Sequence, residues 1–143
     1  MTIFSYACSI QLEEIVILTG GNLSMNTVSV YSTQGWIEDL PDLLTGRQSH
    51  GCGQFVNSDN EMVSIFLNTY CLCLIHCHYC QVYLVTGGKG SSDNVVSTEI
   101  LVAGSDSWTQ VGDLPTIPIR GLKGVSFNNK ILMTGKSDHQ IYQ

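Results

Sequence analysis

The sequence predicts an all-β chain: about two four-stranded antiparallel units and the first strand of a third. Three observations predict it. Short apolar runs ending in Thr-Gly recur as VILTGG (Val16–Gly21), YLVTGG (Tyr83–Gly88) and ILMTGK (Ile131–Lys136). Runs of about five residues alternate polar and apolar side chains, the period of a strand with one buried face. Gly, Asn, Asp and Ser cluster between these runs, as tight turns require. At 143 residues the chain has the length of one ordinary domain.

The elements follow one order twice. After Gly20-Gly21 come a polar loop, NLSMN, the alternating run TVSVY (Thr27–Tyr31), Trp36, Leu40-Pro41, Arg47 and a small-residue strand, GCGQF (Gly51–Phe55). After Gly87-Gly88 come KGSSDN, an alternating run from Ser97 to Leu101, Trp108, Leu114-Pro115, Arg120 and GVSF (Gly124–Phe127). Gly135 opens a third copy. The double Gly ends a strand where the chain needs positive φ or close backbone approach. One Trp per copy offers a large apolar plate for packing between adjacent sheets. Pro after Leu ends a strand, because it cannot donate to the ladder.

This ordered set resembles the kelch repeat. Gly20, Gly21, Tyr31, Trp36 and Arg47 carry the likeness in one copy, Gly87, Gly88, Trp108 and Arg120 in the next, and Gly135 in the third. Leu101 stands where kelch repeats usually carry Tyr, and Lys136 replaces the second Gly of the third copy. The resemblance implies a partial kelch β-propeller, divided as repeat 1 (11–61), an insertion (62–81), repeat 2 with the start of repeat 3 (82–135) and a tail (136–143). Such repeats stack on neighbours at both sides, so the chain is expected to be part of a longer propeller.

The insertion stands apart. From Met62 to Gln81 no residue is charged, and Cys71, Cys73, Cys77 and Cys80 crowd together. The first Gly of each copy falls at 20, 87 and 135, giving spacings of 67 and 48. Removing the 19 residues Val63–Gln81 makes the first spacing 48 as well. We read this stretch as translated intron, with Ser137–Gln143 a similar read-through; otherwise it is a disordered or aggregation-prone loop insertion. Asn68, His76, His78 and Gln81 make it a poor membrane span. Its cysteines sit too close together for a structural zinc site, which usually pairs two short-spaced ligand groups across a loop. No metal or cofactor is expected.

Charge and candidate chemistry narrow the function. Twelve acidic against six scattered basic residues argue against a nucleic-acid surface. His50 beside Cys52 suggests a base and a nucleophile. Yet aligning Arg47, His50 and Cys52 with Arg120, Lys123 and Val125 marks the Cys position as apolar packing. Gly87–Ser92 lacks the spacing of a phosphate loop and reads as a polar turn. Arg47 and Arg120 are expected to hydrogen-bond between strands or units. No catalytic residue is assigned, and the chain is expected not to be an enzyme.

The kelch resemblance implies a protein partner, held by the loops Asn22–Asn26 and Lys89–Asn94 and those near Arg47 and Arg120. It also implies, for a longer chain with a BTB domain, the substrate-binding part of a ubiquitin-ligase adaptor. The alternative is a fragment of a kelch-propeller enzyme, an oxidase or isomerase. The N-terminal MTIFSYACSIQLEE lacks a basic start and a sustained apolar run, so a secretory signal is not expected. Unpaired thiols would then favour a reducing compartment, and a cytoplasmic location is expected.

Overall fold

The computed structural model describes residues 5–12, 14–57, 63–67, 70–74, 80–114, 119–127 and 130–137. Among them lie twelve strands and no helix, arranged as three four-stranded sheets. The strands, numbered in chain order, are β1 (Cys8–Leu12), β2 (Ile15–Thr19), β3 (Val28–Ser32), β4 (Gly35–Leu40), β5 (Gly51–Asn57) and β6 (Val63–Leu67). They continue with β7 (Tyr70–Leu74), β8 (Cys80–Thr86), β9 (Ser97–Val102), β10 (Thr109–Asp113), β11 (Ile119–Phe127) and β12 (Lys130–Ser137).

The first sheet is an antiparallel meander, β1-β2-β3-β4, and the second runs β5-β8-β9-β10, also antiparallel throughout. The two share a register. Val16 pairs with Tyr31 and Ile17 with Val30, as Tyr83 pairs with Leu101 and Leu84 with Ile100. Alternation does the rest: β2 and β3 turn Ile17, Val28 and Val30 to one face, where they are buried. The β4 strand stops at Leu40, immediately before Pro41.

Sheet boundaries fall one strand earlier than the repeat division expected from sequence. The small-residue strand β5 lies within 11–61, but it pairs with β8 and so opens the second sheet. It is small because the third sheet backs directly onto it. A Cβ on Gly53 would stand 2.8 Å from Ile131 Cγ2, and one on Gly51 2.8 Å from Met133 Sδ. The alignment of Cys52 with Val125 is one residue out of phase with the ladders. Cys52 pairs with Val85, whose counterpart Met133 pairs with Gly124, after a bulge between Arg120 and Lys123.

The third sheet holds two strands of the third copy, β11 and β12, where one was expected. Its other half is the hairpin β6–β7, drawn from the segment read as an insertion. There VSIFL carries enough β-branched and aromatic character to form a strand, and β6 pairs with β12 in parallel. Side chains of this hairpin, including Cys71 and Cys73, lie outside the described residues, as do Cys77 and residues 138–143.

Two apolar clusters join the sheets face to face. Ile10, Ile17, Val28 and Val30 of the first sheet meet Tyr83, Val85, Leu101 and Trp108 of the second. On the second sheet's other face Val82, Leu84 and Ile100 meet Leu122, Ile131 and Met133 of the third. The middle sheet is therefore covered on both faces.

Candidate functional site

The connection 41–50 carries the chain from the first sheet to the second, and Arg47 anchors it. Every N–H of its guanidinium is used. Nε donates to Thr45 O (3.1 Å), Nη1 to Gly87 O (3.2 Å) and Ser97 O (2.7 Å), and Nη2 to Ser97 Oγ (2.9 Å) and the Glu99 carboxylate. Both charged side chains are fully buried. Glu99 also accepts from the Leu44 and Thr45 amides at 2.9 and 3.0 Å. Burial lowers the pKa of Arg47, while the charge and hydrogen bond of Glu99 oppose that fall. An isolated buried charge would be costly, and this pair is closed on both sides by hydrogen bonds.

The same connection is laced to the β2–β3 loop. Arg47 N donates to Met25 O, Leu43 N to Asn26 O, and Asn26 Nδ2 to Leu43 O. The double-Gly turns make room for it. Gly20 has φ +58°, and a Cβ there would lie 2.3 Å from Arg47 O. Gly88 has φ +99°, and a Cβ there would lie 2.6 Å from Gln48 O and 2.8 Å from His50 Cβ.

His50 is buried between these turns. Its Nε2 is 2.7 Å from Thr19 Oγ1, which also reaches Cys8 O at 3.4 Å. A chain from Nε2–H through the Thr19 hydroxyl to Cys8 O leaves Nδ1 as a bare lone pair, less costly to bury than an orphaned N–H. Nδ1 has no partner among the described residues. Burial first, and then the Arg47 charge, push the His50 pKa down to about 3. Cys52, expected as a free thiol, is bonded to Cys8 in a disulfide across the first two sheets. The base–nucleophile pair suggested by RQSHGCG is thus not assembled: Cys52 sulfur is held by Cys8, and His50 faces Thr19.

Above this clamp lies an open groove of about 620 Å³ between the two sheets. Met25 and Asn26 line it from the first sheet, Leu44–Gly46 from the connection, and Gly90–Ser97 with Gln110 and Asp113 from the second. Two of the loops expected to bind, Asn22–Asn26 and Lys89–Asn94, therefore border one concavity. Gln110 Nε2 donates to Asp113 Oδ1 at 3.0 Å, and Ser92 Oγ to Asp93 Oδ2 at 2.9 Å, so the rim is polar.

The remaining expected residues sit as follows. Gly21 and Gly87 take positive φ, at 113° and 64°. Trp108 is buried at the face of the first sheet, with Nε1 donating to Pro41 O at 2.7 Å. Trp36 does not pack between sheets: it is exposed, edge-on to Tyr31 with ring centroids 5.3 Å apart. Gly135 lies in β12, and Arg120 in β11 with its side chain outside the described residues. Glu99, Thr19 and Cys8 were not singled out from sequence. An acid inside an otherwise uncharged strand was the available signal for Glu99, since burial demands a partner for it.

No protein-family model matches the chain, and no curated protein matches it. Among the described residues no helix is long and apolar enough to cross a membrane, and no group of three or more His, Cys, Asp or Glu is placed to hold a metal ion.

Proposed function

We propose that this chain is a protein–protein interaction module of kelch-propeller type, a sector of a longer ring that grips its partner in the groove between the first two sheets. The observation that carries this reading is the groove itself. Loops of two successive sheets converge on it, and the buried Arg47–Glu99 pair hydrogen-bonds three of its lining residues, Leu44, Thr45 and Ser97. Loops held by a rigid scaffold are where binding residues concentrate. A polar, open concavity suits a segment of another protein better than a small apolar ligand. Joined to a BTB region in a longer chain, the module would serve as the substrate receptor of a ubiquitin ligase. A cytoplasmic setting belongs to the same proposal and requires that Cys8 and Cys52, bonded in this structure, be held as thiols there.

A photo-crosslinking residue at Ser92, on the groove rim, is expected to capture a discrete protein. The same residue at Gln34, in the β3–β4 turn at the other end of the sheet, is not. Equal capture at both sites, or binding unchanged by Asp93→Lys combined with Gln110→Ala, would overturn the reading.

A further inference from the structure

Two non-glycine residues hold their backbone in the left-handed region, and they are bonded to each other. Tyr6 has φ 64° and Ser49 φ 52°, the two such residues among those described. The Ser49 amide donates to Tyr6 O at 2.8 Å, and beside it the Asn22 amide donates to Ser5 O at 3.0 Å. Gly21 admits the crossing: a Cβ there would stand 3.2 Å from both Ala7 Cβ and Ser5 O. Residues 5–8 thus lie as a strap over the double-Gly turn of the first sheet and the connection to the second. The Cys8–Cys52 disulfide closes that strap, shortly after Tyr6 on one side and Ser49 on the other.

Without the disulfide the forces on the strap are nearly even. A left-handed backbone costs a residue with a Cβ about as much as one backbone hydrogen bond returns net. Tyr6 and Ser49 both bear that cost, against the hydrogen bonds from Ser49 and Asn22. Strain of this kind persists only where the surroundings impose it, and it clusters at switch regions. The sheets do not share the dependence. The β1 strand keeps its ladder with β2 from Cys8 to Leu12, and Met25 and Asn26 stay laced to the connection.

We propose that Cys8 and Cys52 are a redox switch on this strap. Oxidised, the bond fastens residues 5–7 and the entry of the β2–β3 loop at Asn22; reduced, both are released while the three sheets stand. The co-reactant is a low-molecular-weight thiol. Cys52 is buried, whereas Cys8 is half-buried. Cys8 shares the face of Ile10, turned to the second sheet, so a further sheet stacked on the opposite face would not cover it. The attacking thiolate therefore bonds to the Cys8 sulfur, the Cys8–Cys52 bond breaks, and Cys52 leaves as a thiolate that takes up a proton. A second thiolate attacks the small-molecule sulfur of the mixed disulfide, and Cys8 leaves and is protonated in turn. The pair gains two electrons and two protons, while two small thiols become one small disulfide. In the cytoplasmic setting proposed above the strap is open at rest, and an oxidised small disulfide closes it by the reverse steps. The switch rests on this junction alone, whatever the groove holds.

Excess reduced glutathione, added to the folded full chain after its free thiols are blocked, tests it. Two further thiols should become reactive to an alkylating reagent, with strand circular dichroism unchanged. Backbone order parameters at Ala7 and Asn22 should fall from about 0.85 to below about 0.6, while Ile17 and Leu84 keep the rigid value. The Cys8→Ser Cys52→Ser pair should show the low values with or without thiol; should that pair fail to fold, the wild-type chain still decides. A bond that yields to glutathione only once urea unfolds the chain would overturn the inference. So would order at Ala7 and Asn22 that survives reduction, or an equal loss of order at Ile17 and Leu84, which would make the bond a brace of the whole fold.

Discussion

Arg47 and Glu99 form a fully buried ion pair that ties the connection leaving the first sheet to β9 of the second. Removing one partner strands the other charge, and loss of Glu99 also orphans the Leu44 and Thr45 amides. Glu99→Ala is therefore expected to cost about 3–5 kcal/mol, read from urea unfolding. The double variant with Arg47→Met should lose less than the sum of the two single losses, because the residues act as one unit. Additive losses would show that the pair is not coupled.

His50 gives the fold a pH dependence of defined sign. Its folded pKa of about 3 lies below the ordinary 6.5, so the folded state refuses a proton that the unfolded state accepts. Its contribution is complete above pH 6.5 and is lost as pH falls toward 3, by up to about 1.4 kcal/mol per pH unit. His50→Gln, which can still meet Thr19, is expected to flatten unfolding free energy between pH 6.5 and 4.5. An unchanged slope there would assign the acid sensitivity to carboxylates instead.

The Cys8–Cys52 bond closes a loop across a sequence separation of 44. By loop entropy such a closure is worth on the order of 4 kcal/mol, and measured cases run about 2–5. Reduction, or the Cys8→Ser Cys52→Ser pair, should lower the denaturant midpoint by a matching amount. In a reducing compartment the chain would hold the same sheets with that margin removed. Equal stability with and without reductant would mean that burial of Cys52, not the bond, secures β5.

How much of this was legible beforehand depended on the range of the interaction. Thr-Gly-Gly markers, period-2 runs and Leu40-Pro41 are local, and they located β2, β3, β4, β8 and β9. Partner choice is not local. Nothing in GCGQF says that β5 joins the sheet after it, and nothing in VSIFL says that β6 pairs with β12. The Cys8–Cys52 and Arg47–Glu99 contacts bridge 44 and 52 positions, beyond any spacing rule. Trp36 and Trp108 occupy equivalent places in the repeat, yet only the stacking order decides which of them is covered.

Two glycines at positive φ, Gly104 and Gly20, should separate backbone conformation from crowding. Gly104 has φ +84° with nothing within 4 Å of a new Cβ, so Gly104→Ala pays only for its conformation, about 1 kcal/mol. Gly20 adds a clash with the Arg47 carbonyl oxygen. Gly20→Ala is expected to cost clearly more, roughly 2–4 kcal/mol once strain and displacement of the connection combine. Thermal unfolding of the two variants side by side reads the difference, and similar midpoints would count against close packing of the turn on the connection.

The two tryptophans make the sharpest contrast in stability. Trp108 fills the contact between the first two sheets and donates its indole N–H to Pro41 O. Truncation opens a cavity there and orphans that carbonyl, so Trp108→Ala is expected to cost about 3–5 kcal/mol. Trp36 meets Tyr31 edge-on at the surface, an arrangement worth about 0.5–1.5 kcal/mol. Trp36→Ala should lose no more than that. A loss at Trp36 as large as that at Trp108 would mean that its face is already covered within one chain, and the stacking order deduced from the ladders would have to be revised.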